Sequence, residues 1–137
     1  MAAFAWRRRP TRHFGEQWVP FVDLNLRQAN GAWQDFSLQI DTGALISVLR
    51  RSAAELLGVN LTSGDQVELG SIGGHPHRYF VHRLQAQIAD LAPFTLRVAI
   101  AEVEAVPNLL GRIDVFDLLR LDFNPSMQQT RNALIGT

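Results

Sequence analysis

The sequence contains no cysteine and no lysine. Without cysteine there is no thiol nucleophile, no disulfide framework and no thiolate metal site. Without lysine there is no Schiff-base chemistry and no phosphate-gripping lysine of a P-loop. Hydrolytic chemistry is left to carboxylate, hydroxyl, imidazole or a metal. All 13 basic residues are arginine and they balance 13 acidic ones, for a formal net charge of zero. No overall field therefore draws the chain to nucleic acid or to an anionic membrane, and neither is expected as a partner. No stretch has the length and apolarity of a membrane span. The opening Met1-Ala2-Ala3-Phe4-Ala5-Trp6-Arg7-Arg8-Arg9-Pro10 puts its charge after a very short apolar piece, the reverse of a secretory signal. A soluble intracellular protein, cytoplasmic in location, is expected.

Of the 137 residues, 47% are apolar, enough for one domain with a real core. Residues 1–17 are aromatic and arginine-rich without a clear period and read as an arm, a solvated or loosely docked terminus; residues 18–137 read as the folded domain. From Trp18 to Leu26 apolar positions alternate, Gln28-Ala29-Asn30-Gly31 signals a turn, and Trp33 to Ile40 resumes the alternation. That is a hairpin, whose Asn30-Gly31 suits a tight primed turn and whose polar flanks permit a longer loop. Ser52-Ala53-Ala54-Glu55-Leu56-Leu57 reads as a short helix, with Ser52 and Glu55 at capping-box spacing and Gly58 suited to the left-handed residue beyond its end. Strand patterns follow at Asp65–Leu69, Tyr79–Leu84, Ala86–Ile88 and Phe94–Ile100. The tail predicts a helix over Ile113–Leu119, a strand at Arg120–Phe123, a turn at Asn124-Pro125-Ser126 and a last strand near Asn132–Ile135. Many short strands with turn residues between them argue for an all-β sheet or barrel.

At the end of the first hairpin an apolar strand runs into Asp41-Thr42-Gly43-Ala44 before Leu45-Ile46-Ser47-Val48-Leu49 resumes. Two further blocks follow in order: a glycine cluster, Gly70-Ser71-Ile72-Gly73-Gly74, and Val106-Pro107-Asn108-Leu109-Leu110-Gly111-Arg112. Alone, Asp41-Thr42-Gly43 reads as a β-turn with a capping aspartate, and the glycine cluster as an ordinary hairpin loop. Together, from about Trp18 to Phe123, the blocks resemble the retropepsin-like aspartic proteases, the single-lobe members of the pepsin clan.

The resemblance implies a closed β-barrel with a short helix after the active loop and one near the C-terminus. It also implies an aspartic endopeptidase. Such chemistry uses two carboxyl groups around one water: the ionised one takes a proton from the water while the protonated one donates to the substrate carbonyl. Like charges about 3 Å apart cannot both ionise cheaply, so the pair shares a proton. Only one Asp-Thr-Gly is present and 137 residues cannot hold two lobes. The second aspartate must then come from an identical chain, which makes a homodimer the implied partner. By the resemblance Asp41 is catalytic, Thr42 hydrogen-bonds across the dimer, and Gly43 lets backbone and water approach the carboxylates. Gly70, Ser71, Ile72 and Gly73 are implied to form a flap over an extended polypeptide substrate. Ala44, Leu45, Val106 and Leu109 are implied to line its groove, which then favours apolar side chains. No cofactor and no metal are implied.

One residue departs from the family pattern. Many retroviral members carry an acid where this chain has Leu45, and that acid pairs with the arginine matching Arg112; here Asp114, Asp117 or a residue of the other subunit would have to substitute. A retropepsin fold that binds peptide or directs assembly without turnover is therefore the alternative reading, and an arginine-arm nucleic-acid binder is a third. His75, His77 and His82 have no well-placed carboxylate to complete a metal site. Ser71 is not a nucleophile elbow, because Leu69 stands where a glycine would be needed.

Overall fold

Residues 2–70 and 76–135 are described by the computed structural model, the side chain of Leu134 excepted. The terminal segment read as an irregular arm is instead made of strands. Strand β1 (Ala2–Ala5) pairs antiparallel with the chain's last strand, Ala2 opposite Asn132 and Phe4 opposite Thr130. It is held there because Ala2 is buried, Phe4 packs against the core, and the Trp6 indole N–H donates to Thr130 Oγ1 at 2.7 Å. Strands β2 (Arg7–Thr11) and β3 (Gly15–Val19) form a hairpin. Its arginines lie over aromatic rings: Arg7 and Arg9 both stack on Phe21, and Arg8 on Trp18. The absence of a hydrophobic period had hidden these strands, since their anchoring comes from sequence-distant partners.

Strands β4 (Phe21–Arg27) and β5 (Trp33–Ile40) form the expected hairpin, with Val22 opposite Leu38 and Leu24 opposite Phe36 on its buried face. The connection is the longer of the two forms the sequence allows. Gln28 N–H donates to the Ala32 carbonyl, Gly31 takes φ +89°, and the Asn30 side chain accepts from Ala32 N–H. After the Asp41 loop come β6 (Ser47–Leu49) and α1 (Ser52–Leu57). Gly58 ends the helix with φ +68°, as its position predicts. The capping box does not form: the Ser52 hydroxyl and backbone N–H both donate to Glu104, at 2.6 and 2.8 Å, so a distant carboxylate covers the helix start.

Strands β7 (Asp65–Leu69) and β8 (His77–Gln87) pair antiparallel from Leu69 opposite His77 down to Asp65 opposite Val81. Strand β8 merges the two separate runs read from sequence and pairs along its length with β9 (Phe94–Ala101). Strand β10 (Leu109–Leu110) is short but central: it lies between β5, to which it is parallel, and β6, to which it is antiparallel. Strand β6 runs parallel to β9. The order is β4-β5-β10-β6-β9-β8-β7, and β4 returns to pair with β8 through Asn25 opposite Gln87 and Leu26 opposite Ala86, which closes a six-stranded barrel. Leu24, Leu38, Leu57, Leu96 and Ile100 fill it and are fully buried. A smaller apolar cluster of Val48, Tyr79, Ala99 and Ala101 sits outside that core, beneath β7 and beside Val106 and Leu109.

The helix predicted over Ile113–Leu119 is not formed. Val115 and Phe116 N–H both donate to the Arg112 carbonyl, and Leu118 and Leu119 N–H both to the Val115 carbonyl, giving successive turns. The interruption is Asp114, whose φ of +66° no α-helix accommodates. That backbone lets its carboxylate meet Arg97 in a fork: Arg97 Nε and backbone N–H both donate to Oδ2, at 2.9 and 2.8 Å, and Nη2 donates to Oδ1 at 2.9 Å. Strands β11 (Leu119–Asn124) and β12 (Gln129–Leu134) follow as an antiparallel hairpin, as the tail's pattern predicts. With β1 they make a separate three-stranded sheet in which β12 is central.

Candidate active site

The carboxylate of Asp41 is positioned by main-chain bonds on three sides. Its N–H donates to the Leu110 carbonyl at 3.0 Å, fastening the end of β5 to β10. Its carbonyl accepts from Ala44 N–H at 3.1 Å, which turns the chain back on itself. Its Oδ1 accepts from Gly43 N–H at 2.9 Å, so the side chain is oriented by the residue two positions on. A β-carbon on Gly43 would sit 3.3 Å from that oxygen, and glycine avoids the crowding. Asp41 is half-buried, and among the described residues no basic side chain forms an ion pair with it.

The third sequence block supports this loop from behind. Arg112 N–H donates to the Ala44 carbonyl at 3.0 Å and Ile113 N–H to the Leu45 carbonyl at 2.8 Å. Gly111 crosses so close to the loop that a β-carbon would meet the Ile46 carbonyl oxygen at 2.6 Å and Ser47 nitrogen at 2.8 Å. Its N–H donates to Ser47 Oγ at 2.9 Å in a fully buried bond. Ser47 was missed by sequence reasoning; the available signal was a single hydroxyl inside the run Leu45–Leu49. Asn108 acts similarly, its Oδ1 accepting from Arg50 N–H at 3.0 Å.

Above the loop lies a cleft of about 660 Å³. Asp41 and Gly43 form part of its floor, and Ala44, Leu45, Ile46 and Val48 continue along one side. Leu69, Gly70, His77 and Tyr79 come from the two paired legs of the β7–β8 hairpin. Ala105, Val106, Pro107 and Leu109 complete the lining, Leu109 lying beside Val48 in the sheet. The lining is mainly apolar. Burial raises the Tyr79 phenol above its ordinary range, so it remains a neutral hydroxyl at all working pH values.

Of the residues singled out from sequence, Asp41, Gly43, Ala44, Leu45, Gly70, Val106 and Leu109 are brought together in this cleft. His77 and Tyr79 join them without having been foreseen as cleft residues. Thr42 is turned away, exposed at a second groove of about 210 Å³ with Phe116, Leu119, Leu121 and Phe123. Ser71, Ile72 and Gly73 lie outside the described residues, as does His75. His82 does not face the cleft; its Nε2 lies 2.9 Å from the Leu61 carbonyl. Asp114 cannot serve as the partner for Arg112, because Arg97 occupies it; among the described residues Arg112 makes no ion pair, and Leu45 is 58% exposed.

No curated protein gives a significant sequence match. Among solved structures, the fold is similar to a retropepsin-like aspartic protease from Rickettsia conorii, with a TM-score of 0.60 at 15% identity over 93% of this chain and 98% of that one. It is also similar to EIAV protease in complex with the inhibitor HBY-793, with a TM-score of 0.52 at 20% identity over 74% of this chain and 88% of that one. At such identities these likenesses establish the retropepsin-like fold. A family model described as aspartyl protease matches residues 26–136, a span that contains the Asp41 loop, both legs of the β7–β8 hairpin and the Gly111 crossing, and the chain belongs to the aspartyl protease family.

Proposed function

We propose that the protein is an aspartic endopeptidase of the cytoplasm, active as a homodimer in which each subunit contributes one Asp41 to a water-activating dyad. The observation that carries this reading is the division of labour within one turn. Asp41 faces the cleft, whereas Thr42, the next residue, opens on an apolar groove. A second copy packed on that groove by two-fold symmetry brings Asp41 of the partner subunit toward the first. The two carboxyls then share one proton: the ionised member removes a proton from the attacking water as the other protonates the substrate carbonyl oxygen, giving a gem-diol intermediate. Proton return to the amide nitrogen lets the C–N bond break.

The apolar lining of the cleft and the paired legs of the β7–β8 hairpin support an extended polypeptide as substrate. Its apolar side chains would contact Val106 and Leu109, and residues 70–73 would close over it as a flap. Asp41→Asn tests the reading: cleavage of a peptide library should fall by about 10²- to 10⁴-fold, the scale of acid–base catalysis, with the melting temperature little changed. Cleavage that survives this substitution, or that ignores statine-type transition-state mimics, refutes it.

Leu45, together with an Arg112 that makes no ion pair among the described residues, supports a second reading, a peptide-binding or assembly module without turnover. It requires saturable peptide binding with no cleavage at any protein concentration; cleavage abolished by Asp41→Asn removes it.

A further inference from the structure

A second cleft, of about 490 Å³, lies on the other side of the segment that walls the active cleft. Pro107 lines both. Gln39 lines the second cleft, and Asp41, two residues further along, lies on the floor of the first, so about 7 Å of chain separates them. Three arginines line the second cleft. Arg7 and Arg9 come from β2, Arg50 from the start of the turn into α1, and Asp35 is the single acid among the lining residues.

These arginines differ in how far their charge is already used. Arg7 is held by Asp23 and Ser37, each at 2.9 Å. Arg9 and Arg50 have no carboxylate partner among the described residues. Glu104 is near enough to feel the charge of Arg50, but its carboxylate is engaged by the hydroxyl and backbone N–H of Ser52. Arg7 and Arg9 both stack on Phe21, with their guanidinium carbons 5.0 and 4.9 Å from the ring centroid. Arg7 spends Nη2 on Asp23 and Ser37, and Arg9 gives Nη1 to the Arg8 carbonyl at 3.2 Å, so the ring and these bonds hold both groups in place while the remaining N–H groups of Arg9 are left for a carboxylate, which lowers the entropy lost on gripping one. The site is thus preorganised for an anionic, planar, oxygen-bearing ligand.

We infer that this cleft is an exosite for acidic side chains of the same polypeptide whose apolar segment occupies the active cleft, an inference that rests on the proposed endopeptidase activity. An extended chain advances about 3.3 Å per residue, so side chains a few positions beyond the scissile bond are the ones that can pass Pro107, the residue both clefts share. A two-fold dimer carries two such clefts, one on each subunit. The substrate class is therefore a polypeptide with an apolar cleavage segment flanked by aspartate or glutamate.

The test uses two peptides with one apolar core, flanked by glutamate in one and by glutamine in the other. At low salt the acidic peptide should show a KM lower by about five- to tenfold, the scale of a few exposed charge-assisted contacts, with kcat alike. The difference should collapse at high salt and in the double variant Arg9→Gln/Arg50→Gln, while the glutamine peptide is cleaved equally by both proteins. Asp35→Asn should widen the difference. An equal KM for the two peptides, or a preference that survives the double variant, overturns the inference. Anisotropy titration of the same peptides onto Asp41→Asn protein separates this outcome from failure of the protease reading: selective binding of the acidic peptide that is lost when Arg9→Gln and Arg50→Gln are added to Asp41→Asn supports the exosite even without turnover, and unselective binding refutes it.

Discussion

Replacing Gly111 with alanine tests whether the active loop is held by close backbone crossing. The added β-carbon would meet the carbonyl carbon of Ile46, its oxygen at 2.6 Å and the nitrogen of Ser47 at 2.8 Å. All are main-chain atoms at the entry to β6, so relief requires one backbone segment to move. Overpacking of this kind costs about 1–3 kcal/mol. The movement also lengthens the buried bond from Gly111 N–H to Ser47 Oγ, worth a further ~1–3 kcal/mol if both groups are left unpaired. A combined loss of roughly 2–6 kcal/mol lowers Tm by about 7–20 °C for a domain of this size. Activity should fall more than stability explains at temperatures where the variant is still folded, because Leu110, the adjacent residue, accepts the Asp41 N–H bond that places the carboxylate. The control for stability, though not for cleavage, is Gly70→Ala, where a β-carbon meets nothing within 4 Å among the described residues. Differential scanning calorimetry of both variants at one protein concentration, paired with peptide cleavage at 25 °C, checks the argument. A Gly111→Ala protein melting within 2–3 °C of the parent, less than about 1 kcal/mol by the same conversion, would refute it.

Three other outcomes follow from the same structure. The Asp114 carboxyl is held below its ordinary range, chiefly by the Arg97 hydrogen bonds, so its contribution is present above the unfolded-state pKa and is lost as pH falls through the folded one. Asp114→Asn should therefore lower Tm at neutral pH, and the gap to the parent should narrow as pH drops below about 4; a gap independent of pH would deny the ion pair its role. Glu104→Gln weakens the cover over the start of α1, and because hydrogen bonds from Ser52 hold its carboxyl below the usual range, the loss in Tm should likewise shrink in acid. Phe123→Asp puts a charge in the groove beside Thr42, which should shift sedimentation toward monomer and make activity rise steeply with protein concentration; unchanged association would place the dimer contact elsewhere.

Much of the fold was legible because it rests on local chemistry. The β4–β5 hairpin is written in period-two alternation and a polar turn, α1 in a helical run closed by Gly58, and β11–β12 in two short apolar runs around Asn124-Pro125. The cleft residues were legible through motif order, and Asp41, Gly43, Ala44, Leu45, Gly70, Val106 and Leu109 line one cavity. What was missed depended on partners distant in sequence. The arginine-rich start became strands because Trp6 reaches Thr130 and Phe21 carries two guanidiniums. The Ile113–Leu119 helix failed because Asp114 takes a left-handed conformation while its carboxylate is held by Arg97. The capping box lost to Glu104, 52 residues from Ser52.

By itself, then, the sequence narrowed the candidates: with neither thiol nor lysine side chains and one Asp-Thr-Gly loop in a β-rich chain, Asp41 was the carboxylate to look for. Tertiary structure alone decided how that group is held and what surrounds it. Hydrophobic period and turn propensity are properties of neighbours along the chain, whereas the Gly111 crossing, the Arg97–Asp114 fork and the arginine cleft beyond Pro107 exist only once barrel closure brings distant residues within contact distance.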